Sequence, residues 1–262
     1  MKKSFLLHQI RKYIGLFKEN IPCVRPAIFG SIIIATSYLI LPVMANGASA
    51  SITQNISPPA THQTRVALFN QAIADDLSGH NQAARKVYDD LTGSDMSAEI
   101  AVPSAINLVA LGKFDAAEKA FDGLAASADA RVSDYAHLWQ LWLSARTHAG
   151  KPASLKKELA MLTSGMDASS PSQQALIRLY SGKGSTEAVF AAIAAMPGTD
   201  ELQRRDALTE ATFFTGGYLQ YVARNNKAAL GLYEREQNQL NSTSLERPLI
   251  IKAAASLQAA KH

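Results

Sequence analysis

Two stretches, SGHNQAARKVYDDL (residues 78–91) and LGKFDAAEKAFDGL (residues 111–124), decide how this chain folds. In the first, Gly79 is followed five residues later by Ala84 and nine later by Tyr88; in the second, Gly112 is followed at the same offsets by Ala117 and Phe121. The two glycines are 33 residues apart. Each position has a physical reason. Glycine takes the backbone through a tight turn, a small alanine lets two helices approach closely, and an aromatic one turn further on fills the gap between neighbouring units. Around these stretches the chain is rich in Ala, Leu, Gln, Lys and Glu and lacks strand-like alternation, so the predicted class is all-α.

Weaker copies follow. In a third unit Trp139, Leu143 and Gly150 take the places of first-helix aromatic, apolar contact and turn glycine, with Leu155 and Leu159 at the two later offsets. A further unit from about Glu210 to Gln237 has Gly217, Ala229 and Tyr233 correctly spaced, and Arg224-Asn225 where the turn glycine would stand. Between them, residues 172–181 and 185–195 predict a short helical pair around Gly182-Lys183-Gly184 that has lost the pattern. After Pro248, the residues Leu249, Ile250, Ala253, Ala254 and Leu257 form the apolar face of a terminal helix, expected to cap the last open side of the stack. Pro103 falls inside the first helix of the second unit, so that helix is expected to start about four residues late or to be kinked.

This spacing resembles the tetratricopeptide repeat, a helix-turn-helix of about 34 residues. The resemblance implies an α-solenoid, a right-handed superhelix of antiparallel helix pairs. The order of units is also similar to that of the NlpI-type periplasmic tetratricopeptide proteins of Gram-negative bacteria, through LVALGKFDAAEKAFDGL (108–124), YAHLWQLWLSARTHAG (135–150), ALIRLYSGKGSTEAVFAAI (175–193) and ALTEATFFTGGYLQYVARNNKAALGLYE (207–234). That family consists of non-enzymatic scaffolds that bring envelope proteases and cell-wall hydrolases together. The chain lacks the family's lipobox cysteine, and partner identity does not carry over with the repeat core.

The chain has 262 residues and a formal charge of +4, yet the excess sits at one end. Residues 1–50 hold six of the 26 basic residues and one of the 22 acidic ones, which leaves 20 basic against 21 acidic from Ser51 onward. A body of that balance has no general cationic field for phosphates, and nucleic acid is not an expected partner. Basic residues up to Arg25, the apolar run AIFGSIIIATSYLILPVMA (27–45) and the small residues Ala48-Ser49-Ala50 have the order of an export signal. The long basic region resembles the extended signal peptides of some Gram-negative envelope proteins. An uncleaved inner-membrane anchor is the other reading, because 19 apolar residues just span a bilayer. Either reading places the body in the periplasm. Residues 51–61, with Pro58-Pro59, are expected to be a flexible linker, and residues 62–262 the helical repeat domain.

Cys23, the only cysteine, lies in the leader, which removes thiolate and cysteine-metal chemistry from the body. His137 and His148 share one predicted helix but stand about 16 Å apart along its axis, too far for one metal ion. Gly182-Lys183-Gly184-Ser185-Thr186 lacks a preceding strand and reads as a turn rather than a phosphate loop; Asn241-Ser242-Thr243 also reads as a turn. The pairs Asp75-Asp76 and Asp89-Asp90 read as solvated faces, since adjacent helical residues diverge by about 100°. No enzyme activity, cofactor or metal is expected.

In such arrays the first helix of each unit lines a concave groove. That register assigns to the groove His137, Gln140, Ser144, Thr147 and His148 from the third unit and Phe214, Tyr218 and Tyr221 from the fourth, with Val66, Phe69 and Ile73 from the first. The mixture suits a neutral peptide or helix. Trp139, Trp142 and Phe121 are assigned to the core. The expected function is an exported adaptor that holds envelope proteins or peptides in this groove, with a homodimer as a further possibility. The alternative is an accessory structural subunit of a pilus, secretion or exopolysaccharide assembly machine.

Overall fold

The computed structural model describes residues 61–260 apart from positions 197 and 199, so the leader and residues 51–60 of the linker lie outside the described residues. The described residues form eleven α-helices and no strand. They run in pairs: α1 (His62–Leu77) with α2 (Asn81–Leu91), α3 (Ser97–Ala110) with α4 (Phe114–Ala125), α5 (Ala130–Thr147) with α6 (Pro152–Leu162), α7 (Pro171–Tyr180) with α8 (Thr186–Ala194), and α9 (Glu201–Gly217) with α10 (Asn226–Glu236). The terminal helix α11 (Glu246–Ala259) follows. Each helix packs on its pair partner, and each pair contacts the next, an arrangement compatible with an α-solenoid. No helix among the described residues is long and apolar enough to cross a membrane.

Helix starts follow local capping chemistry. The side chains of Thr61, Asp129, Ser185, Asp200 and Asn225 each accept a bond from a first-turn amide. Pro152 and Pro171 open α6 and α7, where a missing N–H costs nothing. The turns inside pairs depend on the left-handed backbone region: Gly79 has φ +81° and Gly112 has φ +72°. Arg224 stands at the equivalent place with φ +52°, the single described non-glycine residue in this region.

The residues five and nine positions after the turn are buried in every pair. Ala84 and Tyr88, Ala117 and Phe121, Leu155 and Leu159, and Ala229 and Tyr233 are all 2% exposed or less. The fourth pair has lost the glycine–alanine–aromatic motif, as expected, yet Val189 and Ile193, five and nine residues after Gly184, are buried with aliphatic side chains in its place; the left-handed glycine of this turn is Gly182, with φ +76°. Helix α3 begins at Ser97 and continues through the buried Pro103, so it does not start late.

Two features extend beyond the expected stack. First, α9 touches α5 directly, so the fifth pair folds back onto the third. The contact is aromatic: the Trp139 ring centroid lies 4.9 Å from Phe213 and 5.3 Å from Phe214, and Trp142 stacks on Phe213 at 5.2 Å, while Phe121 of α4 stacks on Trp139 at 5.1 Å. Gly217 makes this approach possible, because a methyl there would collide with the Trp142 indole nitrogen. Second, α11 does more than cap α9 and α10. It also reaches α1, Lys252 Nζ donates to Ala110 O of α3 at 3.3 Å, and the buried Glu246 accepts hydrogen bonds from Tyr135 of α5 and from Ser244.

Candidate functional site

The residues assigned to a concave groove are largely committed to contacts within the chain. Phe214 is fully buried and packs on Trp139, and its carbonyl accepts a bond from Tyr180 Oη at 2.9 Å. Phe69 and Ile73 are buried too. These three are corrected from groove to core. The reason is the return of α9 onto α5 and the crossing of α11 to α1, which cover the face that a simple array would leave open.

The polar set braces neighbouring helices. Ser144 Oγ donates to Glu158 Oε1 at 2.5 Å, and the His148 ring joins Glu158 Oε2 at 3.1 Å to Ser154 Oγ at 2.9 Å, so three bonds tie α5 to α6. Gln140 Nε2 donates to Asp122 Oδ1 of α4 at 2.7 Å. Thr147 bonds the Leu143 carbonyl of its own helix. His137 is half-buried, and its Nδ1 is buried with no hydrogen-bond partner. No group of three or more His, Cys, Asp or Glu side chains is placed to hold a metal ion among the described residues.

Tyr218 and Tyr221 remain half-buried at a π-helical segment (Tyr218–Val222) that continues α9. Here Ala223 N bonds Tyr218 O at 2.9 Å, a widened turn of the kind frequent at functional sites. The segment turns Tyr221 toward α5, where its ring lies 5.8 Å from Trp142 and 5.3 Å from the Arg146 guanidinium carbon. Tyr221 borders a cleft of about 380 Å³, walled by Phe114, Trp142 and Phe213 on one side and by Leu249, Lys252, Ala253 and Ser256 of α11 on the other. Tyr218 instead packs on Tyr180 at 5.5 Å. The structure therefore separates the two tyrosines.

A larger opening lies elsewhere, on the side of the second helices. A groove of about 820 Å³ runs between α8 and α10 over α9. Its walls are Phe190 and Ile193 of α8, Leu208, Thr215 and Leu219 of α9 and its extension, and Leu232 of α10, rimmed by Glu187, Arg204, Arg235, Glu236 and Gln239. Gly231 leaves its middle free of side chain, with nothing within 4 Å of where a Cβ would stand. Thr215 Oγ1 is buried at this groove without a hydrogen-bond partner. Among the described residues one ion pair forms at the rim: Arg235 Nε bonds Glu236 Oε1 at 2.7 Å, with the Arg235 guanidinium carbon 5.9 Å from the Phe190 ring centroid. Sequence reasoning missed this site. Its one legible signal was Gly231, a helix-interior glycine in no turn.

A further polar cluster sits at the first pair. Asp76 is buried, although the sequence placed it on a solvated face, and it accepts bonds from Tyr88 Oη at 2.9 Å and Asn107 Nδ2 at 2.6 Å. Burial raises its pKa from the ordinary 3.8 to about 6, against the opposing pull of the Asn107 and Tyr88 bonds and of nearby Arg85. Asp75, one residue away, is half-buried, and Asp89 and Asp90 are exposed as expected. The Asn241-Ser242-Thr243 turn is confirmed and mostly buried: Asn241 N donates to Thr209 Oγ1 at 2.8 Å, and its side chain bonds Asp206.

Comparison with protein-family models, curated proteins and solved structures finds no significant match to this chain.

Proposed function

We propose that this protein is an exported, non-enzymatic scaffold of the tetratricopeptide type, similar to the NlpI-type periplasmic proteins, that holds a helical segment of an envelope protein. The observation that carries the reading is the groove between α8 and α10: an apolar floor of about 820 Å³ under a rim of both charge signs. An amphipathic helix presents the matching surface, an apolar stripe with charged flanks. Mixed rim charges would set its register rather than its affinity. The proposed partner site thus lies between the second helices of the fourth and fifth pairs, rather than along the first helices that the repeat register suggested.

Periplasmic placement is part of the proposal and rests on the order of basic, apolar and small residues in positions 1–50. Proteases or murein hydrolases are the expected partners, by resemblance alone. The second reading, an accessory subunit of a pilus, secretion or exopolysaccharide machine, is favoured by the length of the basic region before the apolar run. Affinity purification from envelope extracts under mild crosslinking, followed by mass spectrometry, separates the two. Enrichment of a processing protease or murein hydrolase supports the adaptor, enrichment of machine subunits supports the alternative, and recovery from the cytosolic fraction contradicts both.

A further inference from the structure

The cleft between α5 and α11 has a chemistry distinct from that of the proposed partner groove. Its charged lining residues are Arg146 and Lys252, with no carboxylate beside them. Among the described residues neither cation forms an ion pair. Lys252 Nζ reaches only the Ala110 carbonyl, at 3.3 Å. Arg146 is held between two rings, its guanidinium carbon 5.0 Å from the centroid of Phe114 and 5.3 Å from that of Tyr221. A side-chain hydrogen bond to Tyr221 takes up part of the guanidinium's donors, and its remaining N–H groups can still offer a carboxylate two parallel bonds. Tyr233 Oη donates to Gln220 Oε1 at 2.9 Å, which leaves the Gln220 amide nitrogen as a further donor at the cleft. Below these groups the walls are flat and apolar, formed by Trp142, Phe213 and Leu249.

The geometry points to a binding site for a small organic acid, a carboxylate carried on a flat apolar body, clamped between Arg146 and Lys252. The volume of about 380 Å³ falls in the range of small-ligand sites. Such a ligand joins α5 to α11 through charges on both helices, so its binding would also fasten the terminal helix to the stack. The site is separate from the α8–α10 groove and does not depend on the adaptor reading.

The test uses the purified protein with sodium phenylacetate, benzoate and hexanoate as probes, phenylacetamide as the uncharged counterpart, and the tripeptide Gly-Leu-Phe as a chain end. Calorimetry gives affinity, a change in tryptophan emission that Arg146→Gln abolishes reports the location, and the thermal midpoint reports the fastening of α11. The expected result is a dissociation constant below roughly 1 mM for at least one acid and a raised thermal midpoint. Phenylacetamide should bind about tenfold more weakly, and Arg146→Gln and Lys252→Gln should each weaken the acid by about tenfold with unchanged circular dichroism. Arg146→Lys, which keeps the charge and loses the stacked fork, should fall between the two. Absence of binding by all three acids, equal binding of acid and amide, or binding of the tripeptide alone would each overturn the assignment.

Discussion

At the residue scale, two side chains violate a local rule, and each violation has a measurable consequence. Arg224 occupies the left-handed region at φ +52° where other turns place glycine. An L-residue with a Cβ loses roughly 1 kcal/mol there. Arg224→Gly should therefore stabilise the protein by up to about 1 kcal/mol in urea denaturation, less the extra freedom that glycine gives the unfolded chain. A loss of stability would show that the Arg224 side chain makes a contact worth more than the strain. Asp76 is the second case. Its folded pKa of about 6 lies above the ordinary 3.8, so the folded state binds the proton more tightly. Its contribution is fully favourable below pH about 4 and is lost as pH rises through about 6, where the buried carboxylate carries charge. Asp76→Asn should become more stable relative to the parent by about 2–3 kcal/mol between pH 4 and pH 8. A difference that stays flat across that range would place the carboxyl in water. The sequence hid Asp76 because its partners, Tyr88 and Asn107, come from two other helices.

At the scale of elements, helix pairing was legible where turn and packing residues recur at fixed offsets, as in Gly79, Ala84 and Tyr88. It was illegible at Val189 and Ile193 because aliphatic side chains fill the same space without the small-aromatic signature. Phe121 lies at the strongest of these contacts, fully buried and stacked 5.1 Å from Trp139. Phe121→Ala should cost roughly 3–5 kcal/mol, and the loss should spread to the neighbouring pairs, because stability in stacked repeats is shared across interfaces. Hydrogen exchange should show faster exchange in α3 and α5 as well as in α4; a change confined to α4 would argue against stacking. Gly217→Ala tests the return of α9 onto α5. The added methyl would displace the Trp142 indole, an overpacking of the kind that costs about 1–3 kcal/mol, with a shift in tryptophan emission. Unchanged emission and stability would mean that the two helices are further apart.

At the scale of the whole molecule, helices far apart in sequence pack on one another. Pairwise periodicity cannot show this, because it records which residues face a neighbouring helix and not which distant helix covers them. The crossing of α11 to α1 and the contact of α9 with α5 join segments more than fifty residues apart in sequence. Phe214, Phe69 and Ile73 were read as a lining for the same reason, whereas Ser144 and His148 face α6, their pair partner. The α8–α10 groove stays open, and the account rests on its holding a helix from another protein. A photocrosslinking amino acid at Gly231, in the middle of that groove, tests this directly in envelope extracts, with the same group at exposed Met161 of α6 as control. The account predicts a discrete adduct at position 231, mapped to an amphipathic segment of an envelope protein and absent at position 161. No adduct at 231, or the same adducts at both positions, would contradict it.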